Sequence, residues 1–477
     1  MHAVPDHAPW LERAFELVPE EASYRVEPSR GEIPAYVRGT YYVNGPARFG
    51  RGDRRYGHWL DGDGMVVSLR FGDDGVRLTS RFVRSHKWND EEEAGCSLYR
   101  GFGTAFEGDR LLRGILLASP VNVSVYPVED RLLAFGEQGL PWELDPETLE
   151  TLGEETFGGK LNAVSPFSAH PHFSADGREM FNFGLSFAAR TPMINLYRFT
   201  VDGEMIYRKR IPIERPTMAH DFMLGVRHVI FHLAPHVMDM ETFARDGGSV
   251  MDALSWRPEL GSRLVIVDRE SGEKTAEVPL EAGYSLHLIG SFERDGRLVV
   301  DTVELDEPVY DQYQVPEGLF RDVRRARPVR FELDLETFEL LDKQTLDYGL
   351  MCDFPAVDPR KVQQDYRDFW VLGISATEEP GRKFFDQVVH CDWRAGRATG
   401  IWQAPAGCYL GGEPVFVPDP ESERAGAVIC QIFDARAEKG SFLVFDAFDL
   451  GRGPVAELPQ RRPFHLGFHA SFRPDHP

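Results

Sequence analysis

A strand–turn–strand unit recurs seven times along this chain, and it restricts the architecture more than any other feature. Each unit is a short alternating run of β-branched and aromatic residues, a turn rich in Asp, Gly, Glu or Thr, and a second such run. RLVIVDRESGEKTAEVPL, from Arg263 to Leu280, is the clearest, and the others begin at Val66, Pro141, Asn195, Val329, Asp386 and Ser441. Branched and aromatic side chains favour extended backbone, while Gly and Asp tolerate the angles of tight turns, so each unit reads as a hairpin. Successive units start 54 to 75 residues apart, which leaves room for two further strands each. Four strands repeated seven times predict an all-β chain folded as a seven-bladed β-propeller. A β-sandwich, or two stacked all-β domains, is the competing arrangement. Helical patterning is confined to Trp10 to Val18 and Glu241 to Leu254. No linker rich in Ser, Gly or Pro divides the sequence; Arg30 to Gly39 and Pro316 to Pro328 read as loops within the fold. One domain is expected over residues 1–477, with an N-terminal extension over about 1–30 and the propeller over 31–472.

Composition excludes several classes of function. Of 477 residues, 53 are basic and 76 acidic, a formal charge of −23 that repels phosphate backbones, so nucleic acid is not an expected partner. No run approaches the roughly 18 apolar residues of a membrane span, and the first residues lack a basic region followed by an apolar one. A cytoplasmic address is the expectation, with membrane contact limited to a local apolar patch. The five cysteines are scattered without a CxxC spacing, as in a reducing compartment. No protein partner is evident.

Histidine is the richer signal. A propeller points side chains from the innermost strand of every blade into one central channel, so residues distant in sequence meet there. His170 (FSAHPHF), His220 (MAHDFML), His287 (YSLHLIG) and His469 (LGFHASF) sit in apolar, strand-like contexts, 50, 67 and 182 residues apart. Those intervals are close to one, one and three blades. Imidazole is a borderline donor that suits iron, copper, zinc and nickel alike. Context alone also admits His58, His172, His228, His232, His236 and His465, and a histidine in an apolar run is more often a core residue than a ligand.

Several ordered segments then resemble the carotenoid cleavage oxygenases, from about Gly31 to Phe472. GTYYVNGPARF and HWLDGDGMV, AHPHFSADG, AHDFML, HLIGSFE and GFHASF are similar to that family's motifs. The resemblance implies a propeller with Fe(2+) on its axis, held by His170, His220, His287 and His469, and loops forming a cap over one face. It implies that Glu137, Asp353 and Glu413 hold three of those histidines by accepting the remote ring N–H. Two departures stand out. Asp353 replaces the family's glutamate and is one methylene shorter, so either the backbone moves in, or a water bridges, or the hydrogen bond is weak. Gly290 replaces an asparagine and predicts a looser strand.

The implied reaction is cleavage of a conjugated double bond by O₂, giving two carbonyl products from a hydrophobic polyene, a carotenoid or apocarotenoid. No protein nucleophile is needed, and no convincing GxSxG element is present. The tunnel should be apolar and aromatic; Phe102, Phe106, Phe173, Phe187, Phe222 and Phe354 lie near the motifs. LLRGILLASP (Leu111 to Pro120) and the APHVM segment at His236 are candidates for an apolar rim touching a membrane. A stilbene-cleaving enzyme is the alternative substrate class. The segment expected to carry its lysine, LLASPVNVSVYPV, has none, which leaves Tyr99 as the polar contact. Retinoid-type isomerisation, a zinc hydrolase and a non-catalytic binding propeller complete the alternatives.

Overall fold

In the computed structural model, residues 8–114, 116–187, 191–244, 247–315, 319, 323–375, 384–464 and 466–475 are described. All seven expected hairpins are present, and each forms the third and fourth strands, counted from the centre, of one of seven antiparallel sheets of four or five strands. Four of the turns share one chemistry. The side chains of Asp145, Asp268, Asp334 and Asp392 accept backbone N–H groups two or three residues on. The residue four positions on turns left-handed, at Leu149, Gly272, Phe338 and Gly396 (φ 58° to 69°), and donates its N–H to the aspartate carbonyl at 2.8 to 3.0 Å. An aspartate that mimics a backbone turn thus closes the hairpin locally, before any neighbour is in place.

The seven inner strands are Ser124–Val128, His172–Phe173, Met223–Leu224, Tyr284–Arg294, Met351–Val357, Cys408–Pro418 and Ala470–Pro474. They follow one another around a ring that closes where Ala470–Pro474 meets Ser124–Val128. The sheet that closes it, blade 1, draws on both ends of the chain: Ala470–Pro474 pairs inside Gly39–Arg48, and Ala22–Val26 pairs outside Gly75–Phe82. Arg30–Gly31 adds an outer strand to blade 7 by pairing with Ala456–Pro459. Residues of the expected N-terminal extension are therefore strands of the propeller. The core lies between blades. In His228–Leu233, Val229 and Phe231 pack toward blade 3 while Ile230 packs toward blade 5, the two-residue period of a strand buried on both faces. Each such side chain contributes about 1.5–3 kcal/mol on burial.

Two short helices, Met240–Ala244 and Val250–Ala253, occupy the second expected helical stretch, and Ala8–Glu16 the first. A third helix, His86–Ala94, was not expected from its patterning. Its signals are polar: Ser85 caps it, Gly95 ends it in the left-handed region, and its inward residues are charged. Lys87 and Glu91 are fully buried in a network with Asp63 and Arg51, with Lys87 Nζ and Arg51 NH1 each 2.6 Å from an Asp63 oxygen. Hydrophobic periodicity cannot see a helix anchored by ion pairs.

Candidate metal centre

Four inner-strand segments deliver His170, His220, His287 and His469 to one point. All four are buried, and one ligand atom from each lies within 4.8 Å of all the others. The backbone is shaped for this. The Tyr284–Arg294 strand breaks register around Ser285, Leu288 and Gly290, so that His287 sits in a bulge. Bulges fall likewise after Asp353 and between Gly411 and Val415, at the two strand-borne carboxylates. A bulge places two residues opposite one and re-aims a side chain out of the regular alternation.

Three carboxylates fix three rings. Glu137 lies 2.8 and 3.0 Å from His220 Nδ1, Asp353 Oδ1 2.7 Å from His287 Nδ1, and Glu413 Oε2 3.3 Å from His469 Nδ1. A carboxylate only accepts, so each Nδ1 carries the proton and each Nε2 keeps its lone pair for the centre. Asp353 reaches its histidine directly, with the shortest of these contacts, and the same oxygen accepts the Phe354 N–H at 2.9 Å. His170 has no carboxylate behind it among the described residues; its Nε2 lies 2.8 Å from His220 Nε2. Burial, reinforced by the neighbouring histidines, holds His170 well below the usual imidazole range, and burial brings His469 to about 4. Burial also opposes protonation of His287, but Asp353 outweighs it and raises that group.

A metal ion suits this donor set. His287 Nε2 is buried with no hydrogen-bond partner among the described residues, and the His220 lone pair faces another ring nitrogen at 2.8 Å. Two lone pairs so arranged repel one another unless a proton or a metal cation lies between them. Neutral imidazoles match a borderline divalent ion.

An aromatic wall runs from one histidine round to another. Phe354 stands 5.3 Å from the His287 ring and 5.1 Å from His469, and Phe468 stacks beyond it. Trp59 follows at 4.3 Å from Phe468, then Tyr313 at 5.2 Å, Tyr310, and His220 at 6.4 Å. Phe102 backs Tyr310 at 4.9 Å. Of the six phenylalanines expected along a tunnel, Phe354 and Phe102 join this wall. Phe222 packs between blades 3 and 4 against Phe183 and Phe231. Phe173 faces Tyr126, Phe106 lies against Tyr56 and Arg54, and Phe187 is half-buried at the core margin. The wall residues that patterning missed come from single helical turns (Trp59, Tyr310, Tyr313) and an irregular stretch (Phe468) whose position depends on distant partners.

HWLDGDGM supplies those partners. His58 is a strut: Nε2 donates to the Tyr310 carbonyl at 2.9 Å and Nδ1 accepts the Leu60 N–H. Asp61, fully buried, accepts from the Phe102 and Gly103 amides and the Thr104 hydroxyl. Met251 N–H in turn donates to the Phe102 carbonyl, and Val315 N–H to Gly57. Connections from blades 1, 4 and 5 are thereby locked together over the histidines, as the expected cap. The remaining candidates lie elsewhere: His172 bonds Asp221, His228 faces Glu293, and His232 and His236 are buried apart from the cluster. His465 lies outside the described residues. His236 stacks on Tyr310 and is buried, so APHVM is not an exposed rim. The leucines at 111, 112, 116 and 117 are half-buried. Gly290 lies at one of the two register breaks of its strand. A Cβ there would lie 2.7 Å from the Tyr366 ring, whose hydroxyl donates to Asp301, itself paired twice to Arg330. The tyrosine fills the space.

The chain matches the retinal pigment epithelial membrane protein family over residues 15–474. It is 29% identical to apocarotenoid-15,15'-oxygenase of Synechocystis sp., over 97% of this chain and 96% of that protein. It is 27% identical to lignostilbene-alpha,beta-dioxygenase isozyme III of Sphingomonas paucimobilis, over 93% and 92%. Cobalt-substituted Synechocystis apocarotenoid oxygenase superposes with a TM-score of 0.88 at 26% identity, covering 98% of this chain and 99% of that one. Fold, histidine cluster and relatives together define an oxygenase built on a β-propeller. The chain belongs to the retinal pigment epithelial membrane protein family, that of the carotenoid cleavage oxygenases.

Proposed function

We propose that this protein is an Fe(2+)-dependent dioxygenase that cleaves one conjugated carbon–carbon double bond of an apocarotenoid or carotenoid. His170, His220, His287 and His469 would be the iron ligands, with Glu137, Asp353 and Glu413 fixing three of them. The observation that carries this reading is the convergence of four buried histidines, three held by carboxylates, at the foot of an aromatic wall. Bound ferrous iron supplies the electrons and open coordination positions that O₂ activation requires.

The chain's own residues have three tasks. The carboxylates hold ring tautomers, so that neutral nitrogens face the ion. The wall from Phe354 to Tyr310 holds a conjugated chain by burial and excludes water, at about 25 cal/mol per Å² of apolar surface covered. His58 and Asp61 keep that wall in place. The balance is R–CH=CH–R′ + O₂ → R–CHO + R′–CHO: the double bond is broken, O₂ is reduced, and no proton need leave the site. Which bond is cut follows from how far the chain slides in before it meets the ion. The half-buried leucines of Leu111–Pro120 are the place where such a substrate would pass from a membrane surface; no helix among the described residues is long and apolar enough to cross one.

The second reading is a hydroxystilbene substrate, favoured by the lignostilbene relative and by tyrosines in the wall. Tyr99 does not serve it, since its hydroxyl is taken by Asp90. Mass spectrometry of products from a mixed panel of carotenoids, apocarotenals and hydroxystilbenes, under O₂ with iron-loaded protein, tests both. Paired aldehydes from a polyene are expected. Aldehydes from stilbenes alone would move the substrate class, and isomers without cleavage would overturn the proposed reaction.

A further inference from the structure

We infer that Asp221 is a positioning residue that fixes the mutual placement of His170, His220 and His287. The inference rests on the reading of the tetrad as a metal site. Asp221 is buried and directly follows His220. Its Oδ1 accepts the His172 Nε2–H at 3.0 Å and the Phe222 N–H at 2.8 Å, and its Oδ2 accepts the Leu288 N–H at 2.9 Å. His172 lies two residues after His170, and Leu288 directly follows His287. One carboxylate therefore ties together three segments that each carry a tetrad histidine.

The topology makes this bond set unusual. In a propeller the ladders run within blades, from centre to rim, and none joins one inner strand to the next. His172 begins the inner strand of blade 3, Asp221 precedes that of blade 4, and Leu288 lies in that of blade 5. No ladder hydrogen bond joins these strands to one another. Leu288 stays paired with Thr302 between the two register breaks that flank it, and its amide points to Asp221. Glu137 and Asp353 each set the rotation of one ring; Asp221 sets the distances between backbones that carry three. A metal site needs its donors placed within about 0.5 Å, and side-chain packing alone is looser than a charged acceptor with three donors. His172 adds stiffness by lying edge-on to Phe222 at 4.7 Å.

The test uses cobalt(II) as probe on the full chain. Chelator competition gives its affinity, and ligand-field absorption reports the arrangement of its donors. Asp221→Ala should weaken Co(II) binding by about 10- to 100-fold, as removal of an outer partner of a ligand typically does, and should shift the absorption bands. His172→Phe cuts only the arm to blade 3 and should give a smaller loss with a band shift of its own. Asp221→Asn keeps the Leu288 bond but turns an N–H₂ toward the other donors, so its affinity should fall between wild type and alanine. Wild-type affinity and an unshifted spectrum in Asp221→Ala would overturn the inference, even with a lowered melting temperature, because the residue would then serve the fold alone. Should the alanine variant not fold, unshifted bands in both His172→Phe and Asp221→Asn would overturn it equally. Failure of the wild-type chain to bind Co(II) at all would remove the metal reading first, and the inference with it.

Discussion

Asp353 accommodates a shortened side chain without loss of contact: its oxygen sits 2.7 Å from His287 Nδ1 because the strand bulges immediately after it. Phe354 pays for that bulge with a left-handed backbone (φ 55°), at about 1–3 kcal/mol, and sets its ring against two of the histidines. Asp353→Asn retains an acceptor but loses the charge, so metal affinity by chelator competition should fall about 10- to 100-fold with little change in melting temperature. The four tetrad histidines were legible through the segments around them, not through their apolar context, which fitted His58, His172 and His232 equally well. His232 separates from them on physical grounds. It is buried with neither ring nitrogen bonded to a partner among the described residues, and burial lowers it to about 4. Its folded-state value lies below that of an unfolded chain, so the unfolded state takes up a proton first as pH falls. Stability should therefore decline between about pH 6.5 and pH 4, by up to about 3 kcal/mol from this group. His232→Leu should flatten that slope in denaturant titrations; an unchanged slope would place the loss elsewhere.

Hairpins were legible because their turns are closed by their own residues, as Asp145, Asp268, Asp334 and Asp392 show. Inner strands such as His172–Phe173 and Met223–Leu224 were not, since two residues carry no period and owe their extension to a neighbouring strand. The same holds for the Tyr310–Tyr313 turn, whose place in the wall is set by His58, 252 residues away. Helix His86–Ala94 escaped notice because its buried face is ionic. These dependencies predict how the cap responds to mutation. His58→Ala leaves the Tyr310 carbonyl and the Leu60 amide without their partner, costing about 1–3 kcal/mol. Because the wall then moves while the tetrad does not, metal content should stay at the wild-type level while the ratio of cleavage products changes. Loss of metal in this variant would show that the strut supports the tetrad as well.

The whole molecule is closed by its ends. The last inner strand, Ala470–Pro474, directly follows His469 and completes the ring beside Ser124–Val128, so closure of the propeller and placement of the fourth histidine are one event. A chain ending at His469 should therefore lose its cooperative thermal transition and its metal together; retention of either would separate closure from the site. Seven similar blades need a specific axis, and here the axis is where the burial of a sheet protein meets the polar demands of four imidazoles and three carboxylates. The four-histidine iron site is tested most directly by X-ray absorption at the iron edge on the chain loaded anaerobically with Fe(II), read with the iron content per chain. One iron per chain with a nitrogen shell of four imidazoles is expected, lost in His287→Ala. An iron held chiefly by oxygen or sulfur, or one that survives His287→Ala unchanged, would contradict it.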